Sequence, residues 1–184
     1  MQSKIRTNKI ITIPNILSAF RLLLIPLIVL LYCVEENYIL TGHVLILSGL
    51  TDIVDGFIAR RFHMISDLGK VLDPIADKLT QAAMLICLML RFPLMNIPLM
   101  LMVAKETFMG VTGFLVMKRK GMVQGANWHG KVATILLYAM MMLHVFWYDI
   151  PSVLSNLSII VCTGMISLSF VLYGFRNITA LKQV

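Results

Sequence analysis

Charge is what this sequence has least of. Only 14% of its 184 residues are Asp, Glu, Lys or Arg, while 59% are hydrophobic and the mean hydropathy is +0.86. One soluble core of this size could not bury so much apolar surface. The shortage of charge therefore excludes an ordinary soluble domain and predicts an all-α integral membrane protein, with a single membrane domain over residues 1–184.

Cysteine and acidic residues are also scarce. The three cysteines, Cys33, Cys87 and Cys162, are far apart in apolar surroundings and form no CxxC pattern, so we expect packing roles rather than a disulfide or zinc site. Nine acidic residues stand against 16 Lys and Arg, which gives a net charge of +7. Because the basic residues lie in short clusters between apolar runs, anionic membrane lipids are the expected partners, and nucleic acid is not.

The first 27 residues have the basic start of a signal peptide. Arg21 interrupts their apolar run and no small-residue cleavage site follows, so we expect this segment to be retained. A short N-terminal juxtamembrane helix is a further expectation.

Apolar runs predict six transmembrane helices, at 13–34, 37–61, 66–91, 94–118, 130–148 and 151–175. A full crossing needs about 20 mostly apolar residues. The uncharged runs before Asp52 and after Lys78 are shorter than that, and Lys105 and Glu106 split the fourth helix. We therefore expect the polar halves of helices 2, 3 and 4 to line a shared water-filled cavity.

Charged loops orient these helices. Basic clusters precede helix 1, follow helices 2, 4 and 6, and are nearly absent from the other three loops. The positive-inside rule then places both termini and the cavity on the cytoplasmic side, at the cell membrane if the source is bacterial.

Five of the nine acidic residues lie in one segment, TDIVDGFIARRFHMISDLGKVLDPIADK, at 51–78. Asp52 and Asp55 are three positions apart, and Asp73 and Asp77 are four apart. Each spacing puts a pair on one helix face, with Cβ atoms about 5–6 Å apart. If helices 2 and 3 are neighbours, four carboxylates converge on one volume.

Carboxylates at this density need a positive partner. An all-oxygen donor set suits Mg²⁺, Mn²⁺ or Ca²⁺, and four carboxylates fit a two-metal centre. The alternative is a network of ion pairs that holds the helices together, with partners Arg60, Arg61, Lys70 and Lys78. Gly56 and Ala59 leave room for a ligand beside Asp55. Gly69 can start the next segment, and Pro74 frees a carbonyl one turn earlier.

The order Asp52, Asp55, Gly56, Ala59, Arg60, Gly69, Asp73, Asp77, with eight residues between Arg60 and Gly69, resembles the signature of the CDP-alcohol phosphotransferase family at every position. The resemblance covers most of the chain, including the NIPN start of helix 1. It implies six transmembrane helices, two metal ions and a homodimer. It also implies transfer of the phosphatidyl group of CDP-diacylglycerol to an alcohol, with release of CMP.

The resemblance further implies roles for individual residues. Asp52, Asp55, Asp73 and Asp77 would bind two Mg²⁺ or Mn²⁺ ions, and Asp77 would be the general base. The CDP-lipid would contact Asn15, Ser18, Gly56, Ala59, Arg60, Ser66 and Gly69.

The acceptor is predicted from helices 4 and 5. Lys105 and Lys131 are expected to form a positive pocket for an acceptor phosphate, although Lys105 could instead pair with Glu106 or with a motif acid. The pattern resembles the phosphatidylglycerophosphate synthase branch, whose acceptor is glycerol 3-phosphate. It departs from that branch at Phe114-Leu115 and at Ala133, where basic residues are expected. A cardiolipin synthase that uses phosphatidylglycerol is therefore the alternative.

Membrane carboxylates can also form an ion path, so a divalent-cation transporter is a second class of function. The acids lie toward one leaflet, and no matching polar residues continue across helices 2 and 3, which argues against a path. A non-catalytic scaffold is a third option.

Overall fold

The computed structural model describes residues 12–61, 69–120 and 127–182, without the side chains at positions 13, 55, 56, 59, 60, 70, 71, 119, 120 and 180–182. All regular structure in these ranges is helical. The helices are α1 (Ile13–Cys33), α2 (Tyr38–Arg61), α3 (Gly69–Met89), α4 (Asn96–Lys120), α5 (Trp128–Phe146) and α6 (Ser152–Lys182), and a 3₁₀ turn, Pro93–Met95, precedes α4. The predicted helix bounds are confirmed to within a turn, except that α6 continues to Lys182 instead of ending near 175.

Local sequence explains where the helices of the acidic segment and its neighbours begin. The Thr12 hydroxyl accepts a hydrogen bond from the Asn15 backbone N–H at 3.4 Å, which caps α1. Before α2, the Asn37 side chain accepts from the Leu40 backbone N–H at 3.0 Å. The described part of α3 begins at Gly69. These caps satisfy backbone donors that a helix start leaves without intrahelical partners.

The chain divides into two compact units, Met1–Cys87 and Leu88–Val184. In the first unit, α1 packs along α2. The α1 and α3 helices meet where the sulfur atoms of Cys33 and Cys87 lie 3.6 Å apart. Both cysteines are free thiols, as is Cys162. The prediction of one domain over 1–184 stays a prediction.

In the second unit, α6 packs against both α4 and α5. Phe108 and Phe170 meet edge to face with ring centroids 5.4 Å apart. The imidazole of His144 is buried and hydrogen-bonds through Nε2 to the Ser155 hydroxyl at 2.9 Å. This hydrogen bond joins α5 to α6 and gives His144 a structural role.

Four candidate membrane spans occur in the described part of the chain, at Pro14–Cys33, Pro93–Lys118, Trp128–Phe146 and Ser152–Thr179. Many large apolar side chains on them are exposed, including Leu23, Val153 and Phe175. Exposed apolar surface of this extent is what acyl chains would cover. In α2 only Tyr38–Val54 is comparably apolar. The chain is thus a membrane protein in which the acidic segment falls outside the most apolar helices.

Candidate active site

Arg21 is the residue that joins the acidic motif to α1. It is the one charged residue of that helix, and it is only 1% exposed. Its Nη1 donates to Oδ1 of Asp52 on α2, and its Nη2 donates to Oδ1 of Asp73 on α3 at 2.6 Å. Two of the four predicted carboxylates therefore converge on one positive group, as the sequence predicted, but the group is one that the sequence analysis had not paired with them.

Ser18 lies one turn before Arg21 and is fully buried. Its hydroxyl is within hydrogen-bond distance of the Pro14 carbonyl at 2.9 Å and of Oδ1 of Asp73 at 2.6 Å. The predicted nucleotide contact thus lies beside the acids. Asn15, the other predicted contact on α1, is also buried.

Asp77 occupies a separate hydrogen-bonded position one turn along α3. Its carboxylate accepts from Nε2 of the buried Gln81 at 3.1 and 3.0 Å, and Nζ of Lys78 lies 3.4 Å from Oδ2. Lys78 also donates to Oε1 of Gln81 at 3.2 Å. Asp77 and Asp73 are both near enough to Asp52 for their charges to interact. The Lys78 contact is one ion pair that the alternative network predicted.

Several predicted site residues lie partly or wholly outside the described structure. Asp55, Gly56, Ala59 and Arg60 belong to α2, but their side chains are not described. Ser66 is outside the described residues altogether. Gly69 is described only as the first residue of α3. The proposed roles of these residues stay predictions.

The predicted acceptor residues are in the second unit. Lys105 is 6% exposed, and its Nζ lies 3.0 Å from Oε1 of Glu106, which is the pairing that was weighed as its alternative role. Lys131 is exposed near the start of α5. A shared pocket of Lys105 and Lys131 stays a prediction.

A polar cluster formed by α5, α6 and the residue before α5 was missed by the sequence analysis. Asn127 accepts a hydrogen bond from Nη1 of Arg176 at 2.9 Å, and its backbone N–H donates to the Tyr173 hydroxyl at 2.8 Å. The side-chain amide of Asn127 also lies 3.1 Å from Nε2 of His129, whose Nδ1 reaches the Ser169 hydroxyl at 3.1 Å. Lys105 and Arg176 are both within electrostatic range of His129. The second unit therefore joins Arg176 to a buried histidine through Asn127.

Gly130 leaves the space that the Tyr173 ring of this cluster occupies beside α5. A Cβ atom at position 130 would lie 2.5 Å from the Tyr173 hydroxyl oxygen, a distance that side chains do not tolerate. The tyrosine therefore approaches the backbone of α5 more closely than any residue but glycine permits.

The donors around Arg21 fit a hard divalent cation in their chemistry. Two carboxylates from different helices already face one positive group, and Mg²⁺ and Mn²⁺ prefer such oxygen ligands. Within the described ranges, no group of three His, Cys, Asp or Glu side chains comes close enough to hold an ion. The fourth predicted ligand, Asp55, has no described side chain.

Sequence signals for the missed residues did exist. A lone arginine in an apolar helix needs a buried acid elsewhere, so Arg21 could have been paired with the motif. Gln81 lies four positions after Asp77, on the same helix face. Arg176 carried no comparable signal, because its partner Asn127 is distant in sequence and neutral.

The sequence is similar to those of known proteins. The sequence profile of the CDP-alcohol phosphatidyltransferases matches residues 11–172. A CDP-diacylglycerol–glycerol-3-phosphate 3-phosphatidyltransferase from Aquifex aeolicus is 32% identical over 176 residues, which cover 90% of this chain and 97% of the relative. The enzyme of that name from Rickettsia typhi is 34% identical over 108 residues, which cover 57% of this chain but only 61% of the relative. A CMP-forming cardiolipin synthase from Streptomyces coelicolor is 35% identical over 146 residues, which cover 75% of this chain and 67% of the relative.

Proposed function

We propose that this chain, which belongs to the CDP-alcohol phosphatidyltransferase family, transfers the phosphatidyl group of CDP-diacylglycerol to an alcohol and releases CMP. The observation that carries the proposal is the convergence of Asp52 and Asp73 from separate helices on one buried cation. Carboxylates arranged in this way can bind the cations that neutralise the charge of a diphosphate substrate.

Two divalent ions, Mg²⁺ or Mn²⁺, bound by Asp52, Asp55, Asp73 and Asp77 would neutralise the negative charge of the diphosphate. In the proposed reaction, Asp77 takes the proton of the acceptor hydroxyl. The hydroxyl oxygen then bonds to the lipid-bearing phosphorus. The bond from that phosphorus to the bridging oxygen breaks, and CMP leaves with the electron pair. Gln81 would hold the Asp77 carboxylate in place through the hydrogen bonds that it donates to both oxygens.

Glycerol 3-phosphate is the first candidate acceptor. Its phosphate needs positive groups, and the charges of Lys105 and Arg176 both act on His129 in the second unit. The Aquifex and Rickettsia relatives carry this acceptor in their names.

Phosphatidylglycerol is the second candidate, because of a cavity of about 310 Å³ between α4 and α6. Its walls are mostly apolar, and Arg176 and Asn177 supply the polar part; the other lining residues are Met109, Gly113, Phe114, Val116 and Met117. Phe114 stands where the glycerol 3-phosphate branch is expected to have a basic residue. An acceptor with acyl chains would suit such walls better than a small dianion.

We further propose six membrane crossings, with the active site facing the cytoplasm, and a homodimer. The asymmetric distribution of basic loops supports the orientation. Labelling of single introduced cysteines from each side of sealed vesicles tests the crossings. Crosslinking in native membranes tests the dimer.

The deciding experiment is an acceptor panel on the purified full-length protein in lipid nanodiscs with CDP-diacylglycerol and Mn²⁺. Glycerol 3-phosphate should give CMP and phosphatidylglycerophosphate in equal amounts. CMP formed only with phosphatidylglycerol, together with cardiolipin, would identify the second candidate instead. Absence of CMP with every acceptor, from protein that remains folded, would refute the proposed activity.

Asp77→Asn separates the enzyme from the other classes. Loss of a general base should lower CMP release by at least about 100-fold while binding of the CDP-lipid is kept. Asp149→Asn is the matched control, because Asp149 is exposed, pairs with Arg91 and is not a residue of the motif. A scaffold would be indifferent to Asp77→Asn, and a transporter would carry Mn²⁺ into vesicles without any nucleotide.

A further inference from the structure

The guanidinium of Arg21 contacts carboxylate oxygens of two predicted metal ligands. It binds Oδ1 of Asp52 and Oδ1 of Asp73, and its side chain is 1% exposed. The second of these oxygens is also within hydrogen-bond distance of the Ser18 hydroxyl. A buried arginine with two acid partners on two other helices is more than a packing residue, because those acids supply the counter-charge that its burial requires.

The geometry of arginine explains why this residue type is present. A guanidinium presents several N–H donors in a fixed plane, so it can bridge two carboxylates at once, whereas a lysine ammonium is a compact point charge on a flexible stem. Without a bridging cation, Asp52 and Asp73 would repel each other wherever their helices bring them together. Arg21 therefore keeps two acids of the motif assembled.

We propose that Arg21 is a resident counter-cation of the active site, which positions Asp52 and Asp73 and competes with the divalent cation for their Oδ1 atoms. This inference rests on the proposed function, because it takes those carboxylates as metal ligands. Arg21 is a positioning residue in this scheme: it acts on the ligands and not on the substrate.

Competition has a consequence for metal affinity. A positive group close to the ligands repels an incoming divalent ion and occupies its donor atoms, so the resident arginine weakens metal binding. Removing the charge should strengthen binding of the metal alone, although the acids would then be less well positioned for turnover. A purely structural arginine would affect folding stability and leave metal affinity unchanged.

The test is the dissociation constant of Mn²⁺ alone for the full-length protein in nanodiscs, measured by the electron paramagnetic resonance signal of free Mn²⁺. Arg21→Gln should bind Mn²⁺ about tenfold more tightly, because the competing charge is gone. Arg21→Lys should bind about threefold more tightly, because its ammonium is a poorer bridge between two acids. Arg91→Gln, which removes an arginine paired with Asp149, should leave the constant unchanged.

Unchanged or weaker Mn²⁺ binding in Arg21→Gln overturns the inference. If that variant does not fold, the same outcome in Arg21→Lys overturns it. The unmodified protein gives an independent measurement: Mn²⁺ should shift the guanidinium infrared bands, and bands that stay in place contradict competition.

One further variant separates this inference from the proposed function. Asp73→Asn should lose most Mn²⁺ binding. If the unmodified protein binds no Mn²⁺, or Asp73→Asn binds it as well as the unmodified protein does, the proposed metal site is wrong. If Asp73→Asn loses Mn²⁺ binding but the Arg21 variants do not bind Mn²⁺ more tightly, the proposed metal site is supported and the proposed competition by Arg21 is wrong.

Discussion

Gln81 donates its side-chain amide to both carboxylate oxygens of Asp77, at 3.1 and 3.0 Å, from one turn farther along α3. Gln81 is fully buried, so this contact is held by the surrounding packing. The carboxylate that we propose as the general base is thus oriented by a neighbour on its own helix.

Gln81→Met should lower kcat about tenfold, equivalent to about 1.4 kcal/mol, while KM for the CDP-lipid changes little. Methionine has a similar length and is apolar, but it cannot hold the Asp77 carboxylate by hydrogen bonds. Thr80→Val is the control, because the Thr80 hydroxyl bonds only the Ala76 carbonyl among its described contacts. Steady-state CMP release measures both variants, and equal rates for the two would show that Gln81 does not position the base.

Lys105→Met tests the acceptor site. If Lys105 binds the acceptor phosphate, KM for glycerol 3-phosphate should rise about tenfold or more, because a charge-assisted contact is lost. KM for the CDP-lipid should stay the same. Lys118→Met, at an exposed position of α4, is the matched control. A Lys105 variant that loses thermal stability without any change in acceptor KM would assign the lysine to its pair with Glu106 alone.

Gly130→Ala should destabilise the protein, because the new methyl group would overlap the Tyr173 hydroxyl at 2.5 Å. We expect a loss of about 1–3 kcal/mol, as for other overpacked sites. Gly164→Ala is the control: a methyl group at this position of α6 would meet no neighbouring atom within 4 Å, and alanine favours helix. Thermal unfolding in one detergent should therefore show a lower midpoint for the first variant and an equal or higher one for the second.

Mild oxidation should join Cys33 to Cys87, whose sulfur atoms are 3.6 Å apart at the ends of α1 and α3. The bond should appear in peptide mass spectra after treatment with copper phenanthroline. Cys162 is buried in α6 and should stay reduced. Cys33→Ser should abolish the product. A crosslink to Cys162 in place of Cys87 would contradict the packing of α1 against α3.

The sequence was sufficient for the helices because each is a long apolar run with a recognisable start. Thr12 and Asn37 cap their helices, and the described part of α3 begins at Gly69. The end of α6 was missed because polar residues such as Arg176 and Asn177 interrupt the apolar run, although the helix continues through them. Hydropathy detects the apolar part of a helix and not its full length.

The sequence indicated that acids of the motif would lie close together, but it did not indicate which residue would lie between them. Paired spacings within one helix indicate which acids share a face, and Asp52 and Asp73 do converge. Which cation lies between them depends on how α1 packs: an isolated arginine in an apolar helix indicates a buried acidic partner, but no local pattern indicates which acid that partner is. The ion pair of Lys78 with Asp77 was predicted because the two residues are adjacent in sequence. The contact of Arg21 with Asp52 was not predicted, because 31 positions separate them.

The length of α6 has a final consequence. The helix has 31 residues, Ser152–Lys182, and is therefore about 46 Å long at a rise of 1.5 Å per residue. The hydrocarbon core of a bilayer is only about 30 Å thick. Even with an ordinary tilt, several turns must emerge into the headgroup region. Arg176 and Asn177 lie on those last turns and donate hydrogen bonds there to Asn127 and Thr112, so α6 can place these polar contacts at the border of the lipid instead of deep inside it.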